Sequence, residues 1–295
     1  MSSHSSRVMT SAKAAPVKRR RIRQGPHPLT LTLSFLVMGL TLVPFAWLLN
    51  TSFKVGPALS SPDLIVSNPS FGNYLEVFSN ADFGIALRNS LIIAGSVTLL
   101  SLIFGSLAAY PLARLPMRRK GLLLTMVLSI STFPVIAVAA PIFDIWSKIG
   151  LYNTLPGVII PKLTFALPLA IFTLTSFFRE IPFEIDDSAA IDGATPFQTY
   201  RKIILPLAAP GLATTGILVF FSAWNEFLLP VTLTSTPDVR PVPVAIAYFN
   251  GLSEFEQPIG TITAASVLIT IPLLIVVLVF QRKIVAGLTA GAVKS

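Results

Sequence analysis

Six times along this chain the sequence stays apolar for about the 20 residues that a helix needs to cross the hydrocarbon core of a bilayer. The runs are residues 29–49, 86–113, 121–143, 155–178, 203–230 and 261–280. Lipid offers no water to an open backbone, so segments of this length must close their hydrogen bonds internally, as helices. Composition agrees: 53% of residues are hydrophobic, 12% are charged, and the mean hydropathy is +0.75, far from an ordinary soluble domain. The expected fold class is an all-α polytopic membrane protein with six transmembrane helices. Pro156, Pro161 and Pro168 fall inside the fourth run, which marks it as the span most open to interruption.

Lysine and arginine set the expected orientation, because short cytoplasmic loops carry an excess of them. The leading tail holds Arg7, Lys13, Lys18, Arg19, Arg20, Arg21 and Arg23, and the connection between the second and third runs holds Arg114, Arg118, Arg119 and Lys120. Arg179, Arg201 and Lys202 flank the connection between the fourth and fifth runs, and Arg282, Lys283 and Lys294 follow the sixth. The other face has only Lys54, Arg88, Lys148, Lys162 and Arg240. Both termini are thus expected in the cytoplasm, and the net charge of +9 reads as this asymmetry and not as a nucleic-acid footprint. Residues 1–28, rich in Ser, Arg, Lys and Pro, cannot bury a core and are expected to be disordered. The apolar run behind them is too long for the core of a cleaved signal and lacks a small-residue cleavage site, so it reads as the first membrane helix. There is no cysteine, hence no disulfide or thiolate metal site.

The most ordered polar stretch is DSAAIDGATPFQTYRKIILP, residues 187–206. Glu184, Asp186 and Asp187 crowd the start of a short helix expected over residues 182–192, where the helix dipole favours negative charge, with Pro182 in its first turn. Gly193 suits a left-handed stop. Thr195, Pro196 and Gln198 then read as the N-cap, first position and capping-box partner of a second helix. Asp187, Ser188 and Ala189, Gly193 after three more residues, and Ile203, Leu205 and Pro206 after nine more match E-A-A-x3-G-x9-I-x-L-P. That spacing resembles the EAA loop of membrane subunits of bacterial ABC importers, and IDGAT-PF-x5-ILPL-x2-P is similar to the maltose-type, carbohydrate-importing branch. Asp187 stands where glutamate is usual, and Ser188 where alanine is usual. GLYNT at residues 150–154, WNEF at 224–227 and the ending GLTAGAVKS add to the likeness.

The resemblance implies a type I ABC importer fold, with a transmembrane domain over residues 29–283, a coupling elbow near 182–202 and a tail over 284–295. It further implies that Asp187 faces a basic residue of an ATPase subunit and that Gly193 permits close approach. The C-terminal tail from Gly287 would touch the ATPase pair. Implied partners are a second, different permease, two ATPase subunits carrying ATP and Mg, and an extracytoplasmic sugar-binding protein, all at a bacterial cytoplasmic membrane. The chain itself is expected to be non-catalytic and to hold no cofactor, since it has no G-x4-G-K-[ST] phosphate cradle.

Two outward loops, near residues 50–84 and 231–260, are long enough to carry function or to be simple connections. By the same likeness, residues 248–256 would reach into the binding protein. Within the membrane, Glu226 stands nearly alone as an acid, beside Trp224 and Asn225. These three could bind sugar hydroxyls and a pyranose face, but a role in helix packing and interface anchoring is slightly favoured. Gly105, Ala108 and Ala109 in the second span, and Gly211, Thr215 and Gly216 in the fifth, offer small faces for close helix contact. Only His4 and His27 are present, and HExxH is absent, which argues against an intramembrane metalloprotease. The alternative reading is an ion-coupled secondary transporter, though acidic or histidine relays across several helices and an inverted repeat are missing.

Overall fold

The structure, a computed structural model, describes residues 28–63, 65–249 and 258–292, with side chains described as far as residue 280. All regular structure among the described residues is helical. The leading tail, most of the segment 248–256 and the last three residues lie outside the described residues.

Helix α1, Pro28–Ser52, is apolar throughout and long enough to cross a membrane. Its residues up to Ala46 form one unit, and the chain from Trp47 onward forms a second. In the second unit three helices also pass as complete spans: α3 (Ala81–Arg114), α6 (Leu155–Glu180) and α13 (Ile259–Ala292, apolar to Phe280). The two remaining spans are bent pairs. Helices α4 (Lys120–Thr132) and α5 (Val135–Ile149) meet at 82°, and the stretch Pro196–Leu207 meets α10 (Ala209–Asn225) at 76°.

The interruption expected in the fourth run is found in the third. Pro161 and Pro168 are buried within α6, which packs most extensively against α3, and that packing holds the helix together across the missing N–H groups. Helix α4 touches α6 but buries no residue, so less packing opposes the break at Pro134. Phe133, preceding the proline, is pushed into extended geometry with φ −70° and ψ 131°.

The core lies in three layers along α3. Near its start, Phe83 and Ala86 pack with Val77 of α2 (Gly72–Ser79), Val242 of α12 (Val242–Ala247), and Ala264 of α13. In the middle, Ile93, Ala94 and Val97 meet α6, α10 and α11 (Leu228–Leu233). At its end, Ala109, Tyr110 and Ala113 meet Leu174, Phe178, Tyr200 and Ile204. The small faces read from the sequence are helix contacts: a Cβ on Gly105 would lie 2.9 Å from the Cβ of Ala170, and one on Gly211 would lie 2.5 Å from the Phe177 ring. Several hydroxyls in these helices donate within their own helix, as Thr98 does to Ala94 O and Thr175 to Ile171 O.

The first of the two long loops is locally folded. Lys54, 2% exposed, donates to the carbonyls of Ser61 and Asp63 and lies against the Trp47 ring. Buried Asn73 donates to Ser52 O and Lys54 O, and Thr261 at the start of α13 donates to Glu76.

Candidate coupling elbow and the polar break in the fifth span

The elbow begins with α7, Glu184–Ile191, whose first turn carries Glu184, Asp186 and Asp187. Pro182 stands two residues ahead of the helix instead of inside its first turn, and its carbonyl accepts from Ile185 N–H. The C-terminus closes as a Schellman motif: Ala194 N–H bonds to Ala189 O, Gly193 N–H to Ala190 O, and Gly193 takes φ +78°. A new helix, α8 (Pro196–Thr199), starts at once with a full capping box between Thr195 and Gln198. A π-turn over Tyr200–Ile204 and the short α9 (Leu205–Leu207) follow. The wide turn accommodates Pro206, which has no N–H to offer a regular helix.

Helix α7 turns Ala189 and Ile185 inward and leaves Asp187, Ser188 and Gly193 exposed. Ser188 Oγ donates to Glu184 O. Beside Asp187 on the same face lies Ile191, 86% exposed, and just beyond the turn Phe197 is 60% exposed. A Cβ at Gly193 would meet nothing within 4 Å, so the space beyond it is open. Farther along, Ile203 and Leu205 are half-buried, Pro206 is exposed, and Ile204 is the residue sealed in the core.

Beneath the elbow sits a pair that sequence reading passed over, counting Arg114 only toward the charge bias. Arg114, in the last turn of α3, is 3.5 Å from the carboxylate of Asp186, and its guanidinium lies 4.7 Å from the centre of the Phe183 ring. Nearby, Tyr110 packs on Tyr200, whose hydroxyl is 2.8 Å from Ser106 Oγ.

At the other candidate, the fifth run does not continue as one helix to residue 230. Helix α10 stops at Asn225, Glu226 is extended, and α11 starts at Leu228. Trp224 is 2% exposed and stacks on Phe220, so its ring belongs to the core. Asn225 is exposed and donates to Phe221 O. Glu226 is not alone. One of its oxygens accepts from Leu229 N–H and caps α11, while the other lies 3.6 Å from Lys162 Nζ. Lys162, buried in α6, also donates to Ala223 O, a carbonyl at the end of α10. A single cation thus serves both sides of the break. The sequence signal for it was present, since a charge inside an apolar run calls for an internal partner.

GLYNT has a local reason as well. Gly150 closes α5 at φ +76°, Thr154 caps α6, and Asn153 at φ +56° receives Ser235 and Thr236 N–H on its side-chain oxygen. The turn thereby pins the segment after α11.

A family model described as binding-protein-dependent transport system inner membrane component matches residues 101–289. The chain is 49% identical to the trehalose transport system permease protein SugB of Mycobacterium tuberculosis, over 89% of this chain and 96% of that one. It is 40% identical to the trehalose/maltose transport system permease protein MalG of Thermococcus litoralis, over 88% and 94%. It is 35% identical to the diacetylchitobiose uptake system permease protein NgcG of Streptomyces coelicolor, over 95% and 92%. Among solved structures, a bacterial ABC transporter that imports alginate aligns with a TM-score of 0.72 at 23% identity, covering 86% of this chain and 94% of that one, a likeness of fold. These findings set aside the secondary-transporter reading. The chain belongs to the binding-protein-dependent transport system inner membrane component family, as a membrane-spanning permease subunit with the type I ABC importer fold.

Proposed function

We propose that this chain forms half of the translocation pathway of an ATP-driven sugar importer and couples to its ATPase through the elbow at residues 182–202. The observation that carries the cargo class is the agreement of near-full-length relatives named for trehalose, maltose and diacetylchitobiose, all glycosides. Support for the coupling role comes from the exposed side of the elbow, where Asp187 and Ile191 of α7 offer a charge and apolar contact, Phe197 of α8 adds a second apolar side chain, and Gly193 between them leaves the backbone bare. The partners in this reading are a second permease, two ATPase subunits that hold ATP and Mg, and a binding protein delivering the sugar from outside. The chain does no chemistry of its own. The lysine and arginine asymmetry supports a bacterial cytoplasmic membrane with the elbow and both termini inside.

Gly193→Asp tests the reading. Gly193 sits at φ +78°, where any side chain carries backbone strain, although a Cβ there would meet nothing of this chain within 4 Å. Gly193→Asn carries the same backbone strain without the charge, so a defect in Gly193→Asp beyond that of Gly193→Asn reports the partner's surface and not internal strain. The expected result is normal insertion, loss of co-purifying ATPase or ATP hydrolysis without import, and uptake of labelled disaccharide into vesicles reduced to near background. Full ATPase retention with normal uptake would leave the elbow a capped loop.

A further inference from the structure

We infer that Arg114 is a positioning residue of the coupling step, the group through which movement of the elbow reaches the membrane bundle. The inference rests on the reading of the elbow as the ATPase-docking element and adds the path inward from it. Asp186 and Asp187 are consecutive on α7, so they point to different sides of one short helix. Asp187 is exposed on the proposed docking face, whereas Asp186 turns to the bundle and meets Arg114 at 3.5 Å. The Arg114 side chain is 1% exposed, with its guanidinium over Phe183, the residue that leads into α7.

The state of this pair is unusual. None of the three guanidinium nitrogens makes a hydrogen bond, nor does the facing Asp186 oxygen. Arginine carries five N–H donors, and leaving buried donors unspent is costly. A buried ion pair adds little stability of its own, because desolvation can outweigh the attraction, so its place between α3 and α7 is the more telling feature. The contact here is close enough to feel the charge and too long to be locked. That arrangement fits a joint that tightens or shifts when α7 is pushed.

What the joint would move is α3. Arg114 ends this helix, and Asn89 near its start donates to the carbonyls of Asp238 and Arg240 in the second outward loop. At 1.5 Å per residue the two positions lie about 38 Å apart along one helix. A displacement at the elbow thus has a stiff element to act on, with the loop between α11 and α12 fixed to its far end.

The test uses the whole transporter, with both permeases, the ATPase pair and the sugar-loaded binding protein, in proteoliposomes. ATP hydrolysis and uptake are measured together. Arg114→Met is expected to keep the ATPase bound while uptake per ATP falls about tenfold, a size typical of coupling through a packed network. Asp186→Glu, one methylene longer, closes the gap and is expected to hold that ratio at or above the parent value. If Arg114→Met does not reach the membrane, Asp186→Asn carries the same expectation of bound ATPase with a lowered ratio. An unchanged ratio in both Arg114→Met and Asp186→Asn would overturn the inference, as would a fall explained wholly by lost complex. Normal coupling in Arg114→Met beside a defective Gly193→Asp sinks this inference alone, whereas normal coupling in Gly193→Asp sinks the elbow reading beneath it.

Discussion

Lys162 holds three things at once: the Ala223 carbonyl in the last turn of α10, the carboxylate of Glu226, and through that carboxylate the first turn of α11. The two charges are not equally sheltered, with 3% of the lysine side chain exposed against 24% of the glutamate. This difference predicts an order. Glu226→Gln keeps an oxygen for Leu229 N–H but strands the more buried charge, so it should destabilise the permease by about 2 kcal/mol. Lys162→Met strands a carboxylate that can still reach solvent and should cost less. The double variant should cost less than the sum of the two. Thermal denaturation of the purified complex, followed by size-exclusion chromatography, measures all three. Normal stability in Glu226→Gln with an altered sugar preference would instead make Glu226 a substrate residue.

Among the elements, the caps of the elbow were legible in the sequence because they depend on neighbours three or four residues away. Thr195, Pro196, Gln198 and Gly193 take the roles their chemistry assigns them. Thr195→Ala should therefore remove the capping box, costing about 1 kcal/mol, and speed amide exchange at Gln198 and Thr199 about fivefold. Thr195→Ser should restore the parent rate, and equal exchange in all three proteins would mean that packing of Thr199 and Tyr200 holds α8 without the cap. The broken span shows the opposite case. Proline content points to the fourth run, yet Pro161 and Pro168 are carried within an unbroken α6 while Pro134 divides the third. Sequence counts prolines, whereas the outcome depends on whether a neighbour covers the helix, and α4 has no buried residue.

At the scale of the whole molecule, α3 anchors the elbow at one end through Arg114 and the loop between α11 and α12 at the other through Asn89. If α3 crosses the membrane, these two regions lie on opposite sides of it. A cysteine in this cysteine-free chain can report that directly. Ala190→Cys and Asp238→Cys are both at exposed positions, and in intact cells an impermeant thiol reagent is expected to label only the second. Labelling at 190 in sealed cells would invert the topology and remove the elbow from reach of any ATPase.

The amino-acid sequence by itself determined that the chain is a helical membrane protein, where its six apolar runs lie, and where the elbow's first short helix stops and its second one starts. Hydropathy and capping are settled between a residue, its solvent and its nearest neighbours along the chain, so a linear reading recovers them. The spacing around Asp187 and Gly193 was legible for the same reason. Only the tertiary structure decided that Arg114 meets Asp186, that Lys162 meets Glu226, and that Asn153 pins the segment after α11. Each of those contacts joins parts of the chain far apart in sequence, and no local preference distinguishes the true partner from other charges of the same sign. Helix packing chooses among them, because burial makes an unpaired charge costly only where neighbouring helices have already excluded water.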